Sequence, residues 1–412
     1  MDSKTLAGVD AGISGYGGNG EYDGYGRNGR LVGGDGPLEP TREGARVLGR
    51  RALNRALLAR QLLLERSTLP TLEALEHLVG LQAQAPHPPY YGLWARLAGF
   101  RQESLANCML ERSAVRLSLM RSTIHLVSAR DGSALRPLLQ SVHERGLNGA
   151  YGRQLAGLDM DALAGEGRAL VEAQPLTLGE LGKRMRERWP DRDAHALAMA
   201  VRTAVPLVQV PPRGIWGQSG QAAHTTAEAW LGRTETPAEL EELVLRYLGA
   251  FGPATVKDMQ VWSGLTRLRE AFEPLRDRLL VFQDEQGNEL FDLPDAPRPD
   301  PDTPAPPRFL GEFDNMLLSF DDRSRIMAEA DKPRVFTENG IIRATILVDG
   351  FVRGLWRLEA KRKAAVLEVE PFTPLSEEDR QAIADEGERL LEFAASQTSP
   401  DQRTVRFVDP GC

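Results

Sequence analysis

Cysteine and long apolar runs are scarce in this sequence. Among its 412 residues only Cys108 and Cys412 are cysteines, and two cysteines cannot build a disulfide framework or a structural zinc site. No apolar run is long enough to cross a bilayer, and the amino terminus lacks the basic and then apolar order of a signal peptide. We therefore expect a cytoplasmic protein with no metal centre and no membrane partner.

The motifs of several common enzyme classes are also missing. The sequence contains no G-x-S-x-G, H-E-x-x-H or C-x-x-C motif and no glycine-rich loop that ends in Gly-Lys-Ser/Thr. Residues 15–20 and 24–29 both satisfy G-x-G-x-x-G, but neither hexamer follows a strand or opens a helix. Metal-dependent hydrolysis and nucleotide hydrolysis are therefore disfavoured, and we expect no cofactor.

The net charge of −8 is unevenly distributed along the chain. Residues 46–159 contain 15 Lys and Arg against 8 Asp and Glu, whereas residues 160–235 contain 9 of each. The residues after 235 carry a net charge of −12. A basic first part joined to an acidic last part is compatible with binding a polyanion on one surface.

The periodicity of the chain predicts several tandem domains. Residues 1–45 are rich in glycine and predicted to be disordered. Three units then follow, at residues 46–160, 161–235 and 236–412. Each is predicted to contain helices followed by a β-ribbon, which is the order of elements in a winged helix. The last unit adds a proline-rich connector, a β-meander and a final helix. The predicted fold class is α+β and mainly helical.

Four local predictions specify the units further. The first helix is predicted to begin at Val47. Residues 115–128 are predicted to form a β-ribbon with Arg121, Thr123 and His125 on one face. Residues 131–145 are predicted to form one helix. In the second unit, residues 207–210 are predicted to pair with residues 215–216 as a wing.

Two glutamines, Gln82 and Gln84, lie one residue apart between an amphipathic segment and Pro86. In a continued helix their side chains would point about 200° apart. Pro86 instead biases the residue before it toward extended angles, and in an extended chain residues i and i+2 share a face. We therefore predict that the two amides converge on one small molecule such as a water. The alternative is a pair of solvated residues at a helix end.

Several segments between about residues 47 and 393 resemble the winged-helix DNA glycosylase family. The resemblance is carried by Leu53-Asn-Arg-Ala-Leu-Leu-Ala-Arg-Gln61, Leu78-Val-Gly-Leu-Gln-Ala-Gln84, Pro89-Tyr-Tyr-Gly-Leu-Trp94, Met120-Arg-Ser-Thr-Ile-His-Leu-Val127, Phe251-Gly-Pro-Ala-Thr-Val-Lys-Asp258, Phe313-Asp-Asn-Met-Leu-Leu-Ser319 and Val348-Asp-Gly-Phe-Val-Arg-Gly-Leu-Trp356. It implies three tandem winged helices in a C-shaped clamp with additional β structure. Members of the AlkZ type carry a catalytic Gln-x-Gln, matched here at Gln82 and Gln84, whereas a crosslink-repair branch has Gln-x-Asp. Ser122 departs from the glycine that related sequences usually carry.

The resemblance implies a monofunctional DNA glycosylase that acts on double-stranded DNA carrying purines alkylated at N7 or N3, with an extension to interstrand crosslinks. Such a purine already carries positive charge and leaves without protonation, so two amides need only place a water beside the sugar. We expect a monomer that associates with the nucleoid. A non-catalytic winged-helix regulator, or a resistance protein that sequesters an alkylating antibiotic, are the alternatives.

Six further residues are candidates for binding DNA. Arg121, Thr123 and His125 follow the glutamine pair and are candidates for contacts with the backbone or the lesion, although Arg121 and His125 also suit ordinary wing positions. Arg323, Arg325 and Arg353 are candidates for phosphate contacts, with salt bridges in the acidic part of the chain as the alternative.

Overall fold

The computed structural model describes residues 46–232, 236–361 and 364–408. The glycine-rich segment 1–45, predicted to be disordered, lies outside the described residues. Within the described residues helices predominate over strands, which confirms the predicted α+β, mainly helical class.

The first part of the chain contains Gln82 in a short strand, and Gln84 lies just beyond the end of that strand. Its helices and strands are β1 (Arg46–Leu48), α1 (Arg50–Arg60), α2 (Thr71–His77), β2 (Leu81–Gln82), α3 (Pro88–Arg96), α4 (Gln102–Leu110), β3 (Ala114–Ser118), β4 (Ile124–Ser128), α5 (Ala129–Leu138) and α6 (Gln140–Leu155).

The middle part is a smaller unit. It consists of α7 (Met160–Ala173), β5 (Leu176–Thr177), α8 (Leu178–Arg188), α9 (Ala194–Ala204), β6 (Leu207–Gln209), β7 (Ala223–Thr226) and α10 (Ala227–Leu231). Helix α8 begins with a capping box, because Thr177 Oγ1 accepts from the Glu180 amide at 3.2 Å and the Glu180 carboxylate accepts from the Thr177 amide at 2.9 Å.

The last part combines a third group of helices and a hairpin with a larger sheet. Its elements are α11 (Leu240–Phe251), α12 (Val256–Ser263), α13 (Arg269–Phe272), β8 (Leu280–Asp284), β9 (Glu289–Asp292), β10 (Arg308–Leu310), α14 (Asn315–Leu318), α15 (Lys332–Val335), β11 (Thr345–Val348), β12 (Phe351–Lys361), β13 (Ala364–Pro371), α16 (Glu377–Ala394) and β14 (Arg403–Phe407).

The strands form three sheets, and one of them joins the first two parts of the chain. Its six strands have the order β2-β4-β3-β6-β7-β5, and the two parts meet where Leu117 of β3 pairs with Val208 of β6. A three-stranded sheet has the order β1-β8-β9, and a five-stranded sheet runs from β10 to β14 in chain order. Pairing of β3 with β6 therefore fixes the strands of the middle unit against the sheet that contains Gln82.

Three local predictions are wrong in detail. Residues 46–48 form a strand that pairs in parallel with β8, so the first helix begins at Arg50 rather than at Val47. The single helix predicted at residues 131–145 is two helices, α5 and α6. Strand β6 pairs with β7 and not with residues 215–216. The two strand errors share a cause, since pairing with a distant segment leaves no trace in local periodicity.

The β-ribbon predicted at residues 115–128 is present as the antiparallel pair β3–β4. Its turn occupies residues 119–123, where Arg121 and Ser122 have left-handed backbone angles with φ of 54° and 60°. Arg121, Thr123 and His125 therefore do not share one strand face, which corrects that prediction. The left-handed angles instead turn the Arg121 side chain back toward β2.

One hydrophobic core extends from Leu57 to Ala395 and includes residues of the first part, the third group of helices and the five-stranded sheet. The middle unit has a separate core between Leu147 and Leu207. A buried ion pair crosses the larger core, with Arg60 Nη1 of α1 2.6 Å from Asp292 Oδ1 of β9. The assignment of domain boundaries at residues 160 and 235 stays a prediction.

Candidate active site

A tight reversal after α2 places Gln82 in a sheet. Val79 and Gly80 have φ of 54° and 85°, and a Cβ on Gly80 would lie 2.4 Å from Val127 Cγ1, so that only glycine fits. The chain then enters β2, where Gln82 is paired with His125 of β4. The extended backbone predicted at Gln82 is confirmed.

The amide of Gln82 is held by Arg121. Gln82 is only 6% exposed, and its Oε1 accepts a hydrogen bond of 2.7 Å from Arg121 Nη2. The other terminal nitrogen, Arg121 Nη1, donates to the carbonyl of Trp262 in the last turn of α12. Because a guanidinium only donates, the amide atom that faces it must be oxygen. The orientation of the Gln82 amide is therefore determined by its partner.

The amide of Gln84 is held by the adjacent strand. This half-buried side chain accepts a hydrogen bond of 2.7 Å at Oε1 from the backbone amide of Ile124. Between the two glutamines, the Ala83 amide donates to the Ile124 carbonyl and the Ala83 carbonyl accepts from Arg116 Nη2, both at 2.7 Å. Both glutamines thus reach one segment, residues 121–124, and each amide oxygen retains a second lone pair.

The turn that carries Arg121 rests on a polar network. The Ser122 hydroxyl lies 2.9 Å from His143 Nδ1, and Arg202 Nη2 donates to Ser118 Oγ at 3.0 Å and to the Ser122 carbonyl at 3.2 Å. Burial, together with the guanidiniums of Arg136 and Arg202, lowers the pKa of His143 to about 2, so its imidazole is neutral. The left-handed backbone at Ser122, with φ of 60°, is one that glycine adopts without strain.

Positive charge surrounds the glutamine pair. Burial and the neighbouring Arg213 lower the pKa of Arg116 to about 9, and burial and Arg323 lower the pKa of Arg121 to about 10. Both guanidiniums stay charged at neutral pH, and neither pairs with a carboxylate among the residues that the structure describes. Their hydrogen-bond partners are carbonyl oxygens of the backbone and of glutamine side chains. The Trp262 carbonyl, which Arg121 contacts, lies at the negative end of the α12 dipole. This surplus of positive charge favours an anionic ligand.

Comparison with known proteins identifies the family. A family model described as DNA glycosylase AlkZ-like matches residues 75–393, which is more than half of the chain. The chain belongs to the AlkZ-like DNA glycosylase family. The family and enzyme class that the sequence motifs indicated are therefore confirmed.

Two similar proteins come from Streptomyces sahachiroi. The curated protein "Interstrand DNA cross-link repair glycosylase" is 27% identical over 329 residues, which cover 73% of this AlkZ-like chain and 85% of the relative. The solved structure of "Streptomyces sahachiroi DNA glycosylase AlkZ" has a TM-score of 0.72 at 22% identity and covers 88% of this chain and 100% of that one. The structural similarity shows that the two chains share a fold.

Two of the predicted DNA-binding residues of this AlkZ-like glycosylase are buried. His125 is 2% exposed, and burial, followed by the charge of Arg121, lowers its pKa to about 3. Arg325 is 6% exposed, and its Nη1 donates to the Pro253 carbonyl at 2.6 Å. A neutral buried imidazole and a guanidinium enclosed in the core do not suit phosphate contacts, so the structure does not support that role for either residue.

The other predicted residues are more accessible. Thr123 is half-buried and donates from Oγ1 to the Met120 carbonyl at 3.0 Å. Arg323 is half-buried and donates to the Leu317 carbonyl at 2.8 Å, and its positive charge helps to lower the pKa of Arg121. Arg353 is exposed on β12. The structure thus brings Gln82, Gln84, Arg121 and Thr123 together, with Arg323 close to Arg121.

Several residues that complete the site were not predicted from sequence. Trp262 and His143 hold the turn from α12 and α6, and Asn315 Nδ2 of α14 donates to the Gly80 carbonyl at 2.7 Å. Each is separated from its partner by many residues along the chain. Asn315 alone has a local signal, because it is a polar residue within an apolar segment.

Among the described helices, none combines the length and apolar character needed to cross a membrane. The described ranges also contain no group of three or more His, Cys, Asp and Glu residues arranged to hold a metal ion.

Proposed function

We propose that this AlkZ-like glycosylase is monofunctional and hydrolyses the N-glycosidic bond of purines alkylated at N7 or N3 in double-stranded DNA. The observation that carries the proposal is the pair of amides on Gln82 and Gln84, both anchored through oxygen to residues 121–124. When the oxygen of an amide is anchored by one hydrogen bond, its second lone pair points in a fixed direction. That lone pair can accept a hydrogen bond from a water and so hold the water in position.

The chemistry needs no general base at this pair. Alkylation at N7 or N3 places a positive charge on the purine, so the bond from C1′ to the base breaks with its electrons moving onto the ring and the base leaves neutral. A water forms the new bond to C1′, and its proton passes to solvent. Gln82 and Gln84 accept hydrogen bonds from that water through their second lone pairs and so hold it beside the developing sugar cation. The products are a free purine and an abasic site.

The surroundings of the pair support simple hydrolysis rather than strand cleavage. In the described part of the chain, no lysine forms a hydrogen bond with either glutamine or with Arg121. Lys257 of α12 is paired instead with Asp321, with Nζ 2.8 Å from Oδ2. Strand cleavage needs an amine nucleophile, and because no described lysine is bonded to the pair we expect the enzyme to leave the strand intact.

We also propose that the substrates include interstrand crosslinks. This extension rests on the relative from Streptomyces sahachiroi, which is named for repair of such lesions. A crosslink at N7 of a purine carries the same positive charge as a methylated base, so the same water can release it.

Contacts with the DNA backbone complete the proposal. Arg353 is exposed, and Arg323 and Thr123 are partly accessible, so we assign them to phosphate or lesion contacts. The net positive charge of residues 46–159 supports binding of a polyanion by this part of the chain.

Base release from a duplex that contains one N7-methylguanine tests the function. We expect release by the unaltered protein, an intact strand until alkali is added, and loss of release in Gln82→Ala and Gln84→Ala. Gln218→Ala, at an exposed glutamine, serves as the matched control and should retain full activity. If the unaltered protein released no base from any alkylated duplex but bound one undamaged sequence tightly, it would be a regulator and the proposal would be wrong.

A further inference from the structure

Arg121 carries a role that sequence alone did not indicate. We propose that Arg121 is a positioning residue that orients the Gln82 amide for catalysis and does not itself contact DNA phosphate. This inference rests on the proposed function of the glutamine pair.

The geometry of the contact allows only one amide orientation. Arg121 Nη2 lies 2.7 Å from Gln82 Oε1, and a guanidinium has no acceptor. Rotating the amide by half a turn would set its NH2 group against the guanidinium, which would oppose two donors and lose the hydrogen bond. Without Arg121, a glutamine at this position would populate both orientations, and only one of them offers the free oxygen lone pair to water.

The protein holds Arg121 in place from several sides. Its Nη1 donates to the Trp262 carbonyl, and its backbone adopts left-handed angles that are unfavourable for a residue with a side chain. Close packing against Gly264 reinforces the position, because a Cβ there would lie 3.4 Å from the Arg121 Cα. Strain of this kind is typical of functional sites, where it is retained because it points a side chain where it is needed.

The same contacts direct the Arg121 guanidinium into the protein. Each of its terminal nitrogens donates to a carbonyl oxygen, one on a side chain and one on the backbone, so its charge acts on a nearby anion without a direct phosphate contact. Arg145 provides a matched comparison, because it donates to the Gly264 carbonyl at the same end of α12, is exposed and forms no hydrogen bond with either glutamine among the described residues. Loss of Arg145 removes a similar charge and a similar helix-end contact.

A double-mutant cycle with single-turnover base release tests the role. Arg121→Ala should lower the rate constant at saturating enzyme by about 100-fold, the order expected when a catalytic group is misplaced, and should change duplex affinity by less than about threefold. The double variant with Gln82→Ala should be no slower than Gln82→Ala alone, because Arg121 acts through that residue. Arg145→Ala should release base at the unaltered rate.

Chemical rescue distinguishes a positioning role of Arg121 from a purely structural role. Guanidinium chloride at a low, non-denaturing concentration should raise the rate constant of Arg121→Ala at least about tenfold. The reason is that a free guanidinium can bind the amide oxygen that Arg121 no longer contacts. It should not accelerate Gln82→Ala or the double variant. If Arg121→Ala does not fold, Arg121→Met, which keeps the apolar stem, enters the same cycle.

Three results would overturn the role of Arg121. One is a weaker duplex affinity with an unchanged rate at saturating enzyme, which would make Arg121 a phosphate contact. The second is additive losses in the cycle, and the third is a folded Arg121→Ala that guanidinium does not rescue. In each case base release by the unaltered protein would still support the proposed function, whereas no release by the unaltered protein would reject that function itself.

Discussion

Asn315 and Gly80 are joined by a hydrogen bond of 2.7 Å from Asn315 Nδ2 to the Gly80 carbonyl, although 235 residues separate them in sequence. The residue before Asn315 reaches the other side of the glutamine pair, since both oxygens of Asp314 accept hydrogen bonds of 2.8 Å from Arg96 of α3. The start of α14 therefore holds the chain both before and after the strand that contains Gln82.

Replacing Asn315 with leucine, which has a similar size, should loosen that strand. The change leaves the buried Gly80 carbonyl without its donor, and we expect a loss of about 1–3 kcal/mol in the free energy of unfolding together with slower base release. Urea unfolding and single-turnover kinetics measure the two effects. Asn148→Leu, at an exposed asparagine of α6, is the control and should change neither. Unchanged kinetics in a destabilised Asn315→Leu would argue against a link between this bond and the site.

The rate of base release should be independent of pH across the neutral range. A glutamine does not titrate. Burial holds the pKa of His125 at about 3, burial and Arg213 leave that of Arg116 at about 9, and burial and Arg323 leave that of Arg121 at about 10, so no group at the pair changes charge between about pH 3 and 9. Single-turnover rate constants from pH 5.5 to 8 test this. Gln84→Glu introduces a carboxylate, and its rate should decline as pH falls toward about 4 because that group is then protonated. A bell-shaped profile for the unaltered protein would point to a general acid or base that the proposal omits.

Arg353→Ala should weaken DNA binding without slowing the chemistry. Loss of one phosphate contact reduces the slope of log affinity against log salt concentration by about 1 and affects all duplex sequences equally. Arg357→Ala is the comparison, because Arg357 is exposed on the same strand but is paired with Glu368 at 2.5 Å. Binding measured between low and moderate salt distinguishes the two. Equal slopes for Arg353→Ala and the unaltered protein would remove Arg353 from the set of DNA contacts.

Three buried histidines should make the protein sensitive to acid. Burial, followed by nearby arginine charges, lowers the pKa to about 3 for His125, about 2 for His143 and about 4 for His224. Below the usual value of about 6.5 the unfolded chain binds protons that the folded protein does not, so stability is complete above that pH and is lost as the pH falls.

The expected slope is about 1.4 kcal/mol per pH unit for each histidine in that range. Urea unfolding at pH 7.5, 6 and 5 provides the measurement. His224→Asn should reduce the slope by roughly one third of the combined histidine contribution, whereas His195→Asn, at an exposed position, should leave it unchanged. Equal stability at pH 7.5 and 5 would mean that these imidazoles become protonated without unfolding.

Local chemistry predicted those parts of the fold that depend on neighbouring residues. The capping box at Thr177 sets the start of α8. Asp349 and Gly350, a dipeptide typical of hairpin turns, form the turn between β11 and β12 with positive φ of 46° and 79°. Pro86 similarly indicated an extended chain at the glutamine pair. Each of these features involves contacts within a few residues, which a sequence displays directly.

Sequence alone therefore determined the extended chain at Gln82 and the family to which the protein belongs. Only the tertiary structure decided which way the two glutamine amides face, because their partners Arg121 and Ile124 lie 39 and 40 residues away and Arg121 is itself held by Trp262, 141 residues further along the chain. It also decided that His125 and Arg325 are buried. Hydrogen bonds between distant segments depend on the path of the whole chain, and no local pattern of residues records that path.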